Sequence, residues 1–102
     1  GFDAHHSDPL ANLSYTYDTY TWMIQQLNTI SQKFCNDRIA ITLEGGYNLD
    51  AISKSITNII ATLAGEEQQY SEKDINNKKA LEFTKNLLIP EIEKIFGPYW
   101  SF

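Results

Sequence analysis

Two short stretches concentrate the residues able to do chemistry. The first, Gly1-Phe2-Asp3-Ala4-His5-His6-Ser7-Asp8-Pro9-Leu10, crowds two carboxylates and two imidazoles into six positions. That donor set suits zinc or another borderline divalent metal. Its spacing alone is a weak signal, because Asp and His also cap helices and fill turns, and the adjacent histidines fit no HExxH pattern. The second stretch is Leu43-Glu44-Gly45-Gly46-Tyr47-Asn48-Leu49. Paired glycines permit backbone angles and close approaches that other residues do not, and a tyrosine beside them can donate a hydrogen bond to a substrate oxygen. Taken alone, Tyr47 reads as one of six tyrosines rather than as a reagent.

The elements around these stretches follow from periodicity. Residues 1–15 are rich in Asp, His, Pro, Asn and Ser and read as a loop, with Asp8-Pro9 pushing the residue before proline toward extended backbone. Thr16 is a candidate N-cap, with Asp18 in the first turn. Tyr20, Met23, Ile24, Leu27, Ile30 and Phe34 recur at helical spacing, so one helix face is built for burial. Arg38-Ile39-Ala40-Ile41-Thr42-Leu43 is a short, mostly apolar run with the pattern of a strand covered on both faces in a parallel sheet. The Gly-Gly-Tyr loop would then stand at the C-terminal edge of that strand, where α/β folds keep their sites.

A second helix is expected from about Leu49 to Ala64, capped by Asn48 and stopped by Gly65. Residues 66–77 are polar and read as a surface connection, with Ser71 a candidate cap for a short turn. A last helix is expected from about Asn77 to Phe96, bent or split by Pro90, ahead of the aromatic tail Tyr99-Trp100-Ser101-Phe102. Helix, strand, loop, helix is an α/β unit. One strand cannot make a sheet, so its neighbours are expected either outside this chain or inside segments that read as loop.

Composition narrows the function classes. The chain has 102 residues, 42% hydrophobic and 21% charged, which suits a single small globular unit. A unit of that size buries only about 60–70% of its unfolded surface and is a marginal independent folder. The net charge of −5 and the scattered lysines and arginines supply no basic stripe, so direct nucleic-acid binding is not expected. The single cysteine, Cys35, excludes an internal disulfide and any CxxC metal site, and reads as a partly buried spare thiol in a reducing compartment. No apolar run approaches the ~20 residues needed to span a bilayer. The expectation is a soluble, cytoplasmic protein, or a nuclear one in a eukaryote.

Taken together, the two motifs are specific. A loop reading Gly-Phe-Asp-Ala-His-x-x-Asp-Pro-Leu, followed some forty residues later by Leu-Glu-Gly-Gly-Tyr-Asn-Leu, resembles the C-terminal third of the histone deacetylase family. The wording is closer to the class II, acetoin-utilisation and acetylpolyamine-amidohydrolase branches than to class I. The resemblance extends through Leu13 and Thr16 and loosely to Pro98-Tyr99-Trp100. It implies a C-terminal portion, residues 1–102, of one domain with the three-layer α/β arginase/deacetylase fold, a parallel sheet flanked by helices. A first residue that is not Met, Gly1, agrees with a piece whose N-terminal part is absent.

The resemblance also implies roles. Asp8 matches an aspartate that holds zinc, and Tyr47 matches the catalytic tyrosine that hydrogen-bonds the developing oxyanion, with Gly45 and Gly46 forming the substrate loop. Class IIa members carry histidine at the tyrosine position, so Tyr47 points to a chemically competent lineage. No metal role transfers to Asp3, His5 or His6; His5 reads as packing against the loop, His6 falls at a variable position, and both read as structural or exposed rather than ligating. Ala11 stands where many relatives have glycine. The implied activity is zinc-dependent removal of acetyl or other acyl groups from lysine peptides or polyamines. The resemblance places the family's tandem His-His element and its Asp-x-His zinc pair upstream of this stretch, with nothing here to substitute for them, and one carboxylate does not hold a catalytic zinc, so the isolated chain is expected to be inactive. Two other readings stand beside this one: a truncated, non-catalytic remnant or interaction module that self-associates, and a small helical domain whose Gly-Gly-Tyr loop is merely a turn.

Overall fold

The computed structural model describes residues 1–73, 75 and 78–100. Helix α1 (Tyr17–Phe34) begins where Thr16 is extended and its hydroxyl accepts the Thr19 N–H, while the Thr19 hydroxyl accepts the Thr16 N–H. This reciprocal pair satisfies two of the N–H groups that a helix start leaves open. Tyr17, Tyr20, Thr21, Ile24 and Ser31 are buried along one face, at the spacing of an amphipathic helix. Past its end, Asn36 and Asp37 adopt positive φ of 50° and 60°, a conformation these two residue types tolerate. Cys35 at the C-cap is exposed, not partly buried as its type suggests.

Helix α2 (Leu49–Leu63) is capped by the Asn48 side chain, which accepts the Ala51 N–H at 3.0 Å, and gives way at Gly65, whose φ is +77°. It packs against α1. Ala51, Ser55 and Asn58 form the buried stripe of α2, and Asn58 is fully inaccessible. Its amide uses every hydrogen-bonding site. Nδ2 donates to Thr21 Oγ1 at 3.1 Å and to the Tyr70 carbonyl at 2.8 Å, and Oδ1 accepts the N–H groups of Gln69 and Tyr70, both at 3.0 Å.

Asn58 therefore ties down the polar stretch after α2, and Asp18 ties it further along. The Asp18 carboxylate accepts Gln68 Nε2 at 2.7 Å, Ser71 Oγ at 3.1 Å and the Glu72 N–H at 2.9 Å. Desolvation pushes the Asp18 carboxyl upward, but these donors together hold it below its ordinary value. Residues 68–72 form a strap across the start of α1, and the Ser71 hydroxyl serves Asp18 rather than capping a turn.

The α/β expectation is overturned. Among the described residues there is no strand and no sheet; the one ladder element is an isolated parallel bridge between His5 and Tyr15. Segment 38–43 has strand chemistry but no neighbour, and a strand exists only through the N–H and C=O partners that an adjacent strand supplies. Ile41 and Leu43 stand 53% and 54% exposed, so the run that predicts double-sided burial is left open. The described architecture is helical.

The last helical segment runs as α3 (Lys78–Phe83), a π-helical turn (Thr84–Leu88) and α4 (Ile89–Phe96). Pro90, expected to bend or split the helix, is the second residue of α4, which follows the π turn directly. Proline has no N–H, and its ring crowds the carbonyl four residues earlier, that of Asn86; the wider π turn contains Asn86 and gives that carbonyl room. These helices contact neither α1 nor α2, and Leu81, Phe83, Leu87, Ile95 and Phe96 are exposed. Trp100 stacks on Phe96 with ring centroids 5.5 Å apart. The helix start expected at Asn77, and Ser101 and Phe102 of the aromatic tail, lie outside the described residues. Among those residues, no helix is long and apolar enough to cross a membrane.

Candidate functional site

Asp8 and Tyr47 lie 39 residues apart in sequence and meet in space. Asp8 Oδ2 accepts the Tyr47 backbone N–H at 2.8 Å, and Oδ1 accepts the N–H groups of Leu10 at 2.9 Å and Ala11 at 3.3 Å. Partial burial pulls the Asp8 carboxyl upward, but the backbone N–H groups of Leu10, Tyr47, Ala11 and Asn48 outweigh it and hold the carboxyl below its ordinary value. Asn48 adds a second tie, its side-chain amide donating to the Ser7 carbonyl at 3.0 Å. The Tyr47 side chain, 59% exposed, stands free of this knot.

The glycines before Tyr47 are required by contact. Phe2 N–H donates to the Gly45 carbonyl at 2.7 Å, which brings the two loops backbone to backbone. A Cβ on Gly45 would sit 2.8 Å from Asp3 Oδ1 and 2.9 Å from its Cγ, so Asp3 occupies the space that a side chain there needs. Gly46 has φ +124°, and a Cβ on it would lie 3.0 Å from the Phe2 Cβ. Phe2 is itself buried, edge-on to Tyr20 at 5.0 Å. Burial first, then the Asp3 carboxylate, pushes the Tyr20 phenol up to about 12.

His5 and His6 acquire a partner that their sequence neighbourhood does not announce. His5 is 1% exposed, and its Nδ1 accepts the Ser7 N–H at 3.2 Å with Ser7 Oγ 2.8 Å away. That places the ring proton on Nε2, which donates to Glu72 Oε2 at 2.9 Å. His6 Nε2 donates to Glu72 Oε1 at 3.0 Å, and the Tyr17 N–H donates to Oε2 at 3.0 Å. Desolvation raises the Glu72 carboxyl, but His6, the Tyr17 N–H and His5 together hold it below its ordinary value. His5, His6 and Glu72 bring three ligand-type atoms within 4.8 Å of one another. Binding a cation through His5 Nε2 would move the ring proton to Nδ1, straight against the Ser7 N–H. The arrangement is that of a hydrogen-bonded clamp.

Thus the structure joins Asp8, Gly45, Gly46 and Tyr47 in one knot, and it gives His5 the buried role against the loop that its position suggests. Glu72 and Asp3 are the members that reasoning from sequence misses. Glu72 carries no local signal, while the glycine pair hints that something close must occupy the space beside it.

Comparison with known proteins agrees with the motifs. The chain matches the histone deacetylase domain family over residues 1–63. It is 40% identical to "Histone deacetylase 14, chloroplastic" of Arabidopsis thaliana over 74 residues, 72% of this chain and 18% of that protein. It is 28% identical over 110 residues to a "Probable deacetylase" of Archaeoglobus fulgidus, covering 99% of this chain and 31% of the relative. Over 101 residues it is 32% identical to "Histone deacetylase HDA1" of Candida albicans, covering 99% of this chain and 11% of the relative. No solved structure matches. The chain belongs to the histone deacetylase domain family, and it spans less than a third of the length of each of these relatives.

Proposed function

We propose that this chain supplies part of the active site of a zinc-dependent amidohydrolase that removes acetyl or other acyl groups from lysine peptides or polyamines. The observation that carries the reading is the hydrogen bond from the Tyr47 N–H to Asp8 Oδ2, which couples the candidate metal ligand to the candidate reagent across 39 residues of sequence. Asp8 fits a hard-to-borderline cation. Its carboxylate is biased toward the ionised form by the backbone N–H groups gathered around it, and those same bonds fix its orientation.

A catalytic zinc takes about three protein ligands, so Asp8 serves as one of them, and the others come from residues outside those described. When bound, zinc polarises the amide carbonyl and lowers the pKa of a bound water. The chain's own residues do the rest. Asp8 would hold the metal beside the loop, Gly45 and Gly46 let the loop turn close to Phe2 and Asp3, and the exposed Tyr47 hydroxyl would be the donor to the oxyanion.

The test uses the natural, full chain with an acetyl-lysine peptide and an acetylpolyamine as parallel substrates. Tyr47→Phe is expected to lower kcat by about 10²–10³ with zinc content unchanged, the usual loss for one oxyanion donor. Asp8→Ala is expected to lower zinc content as well. Full activity in Tyr47→Phe sinks the assignment. The reading of the chain as an interaction module that self-associates is favoured by one observation, the apolar groove lined by Met23, Leu27, Ile41, Ile56 and Ile60. Inactivity of the natural chain, together with its association through that groove, would establish it instead.

A further inference from the structure

The geometry points to Glu72 as a positioning residue for the Asp8 loop: its carboxylate locks His5, and through His5 the backbone that presents Asp8 to Tyr47. The inference rests on the reading of Asp8 and Tyr47 as ligand and reagent, and extends it to a residue beyond the 63-residue stretch matched to the family.

The connection is continuous in hydrogen bonds. Glu72 Oε2 receives both the His5 ring and the first N–H of α1, so one oxygen joins the loop to the helix start. The His5 ring receives the Ser7 N–H, and the His5 carbonyl receives the Asp8 N–H at 2.9 Å. Ser7 and Asp8 in turn hold the second loop, through the Ser7 carbonyl to Asn48 and the Asp8 carboxylate to the Tyr47 N–H. Glu72 is held independently from the far side, because Asp18 fixes its N–H and Asn58 fixes the strap just upstream. The carboxylate is therefore a rigid anchor and not a mobile surface group.

Its chemistry fits no simpler structural part. A helix start accepts many caps, and Thr16 already provides one. Three N–H donors converging on one carboxylate, one of them from a ring that is 1% exposed, specify the orientation of the loop that carries Asp8. Groups bonded directly to a metal ligand typically change metal affinity or activity about 10–100-fold when removed, which bounds from above the effect of Glu72, one residue further back.

The experiment compares Glu72→Ala, Glu72→Gln and Ile24→Ala in the natural, full chain. Ile24 is buried on α1, and its aliphatic side chain makes none of the hydrogen bonds of the clamp, so its truncation is expected to lower stability without removing a bond of the clamp. Two quantities are read: amide hydrogen exchange at Leu10, Ala11 and Tyr47, and the rate of zinc loss to a chelator. Glu72→Ala is expected to speed exchange at those amides at least about tenfold and zinc loss by up to about 10–100-fold, with Glu72→Gln recovering most of both. Ile24→Ala is expected to leave both quantities near their natural values. Where Glu72→Ala does not accumulate, Glu72→Gln is expected to lie between the natural chain and complete loss, and the comparison with Ile24→Ala still decides. Unchanged exchange in the Glu72 variants, or equal acceleration in Ile24→Ala, overturns the assignment. Faster exchange in the Glu72 variants, with no zinc held by the natural chain, would leave the clamp standing and remove the metal reading instead.

Discussion

Residues 1–73 and residues 78–100 are held by different physics. In the first region, polar side chains reach across long sequence distances: Asp8 to Tyr47, His5 to Glu72, Asp18 to Gln68 and Asn58 to Tyr70. In the second, an amphipathic pattern runs along a segment that, among the described residues, contacts neither α1 nor α2. Hydrophobic periodicity alone produces a helix; it takes buried, directional groups to fix where a helix sits, and the first region shows them at His5, Asp18 and Asn58.

The sharpest way to break this comparison is to remove the group with the most directional bonds. Asn58→Ala strands the Gln69 and Tyr70 N–H groups and the Thr21 hydroxyl, and is expected to destabilise the first region by about 3 kcal/mol, measured by denaturant unfolding followed at the tryptophan of α1, Trp22. A cost below about 1 kcal/mol would mean that water replaces the amide freely and that the strap is held by something else.

Acid should separate the two regions next. Asp18 and Glu72 have carboxyl groups held below their ordinary values of 3.8 and 4.5. The stability they contribute is complete above those ordinary values and is lost as pH falls through the lower, folded ones. Hydrogen exchange in residues 68–72 and at the start of α1 is therefore expected to accelerate below about pH 4.5, while helix 78–96, which contacts neither α1 nor α2, keeps its exchange pattern. Uniform acceleration along the chain would erase the distinction. The smallest effect belongs to the second region: Ile95→Ala, at an exposed position, is expected to change stability by no more than about 0.5 kcal/mol. A loss of several times that value would reveal a cover over this helix.

What could be read from the sequence divides along the same line. The Thr16 and Asn48 caps, the Gly65 stop and the disturbance at Pro90 are local, set by residues within a turn of one another, and each falls where expected. Segment 38–43 fails because its β character is a preference that only a neighbouring strand can realise. The Asp8 and Gly-Gly-Tyr motifs were legible as residue types, yet their junction runs through the main chain of Tyr47, which no side-chain pattern encodes. Glu72 and Asn58 were illegible for a different reason: a polar residue in a polar stretch looks the same whether it meets water or three buried donors.

Because Asp8 grips position 47 by its main chain, the loop is indifferent to the side chain that stands there. Any residue with an amide hydrogen keeps the grip, and only proline forfeits it. Scaffold and candidate reagent are thus separable at this position. A lineage carrying this knot can trade phenol for imidazole, or for an inert group, in a single codon step, acquiring or shedding chemistry without having to invent a new shape.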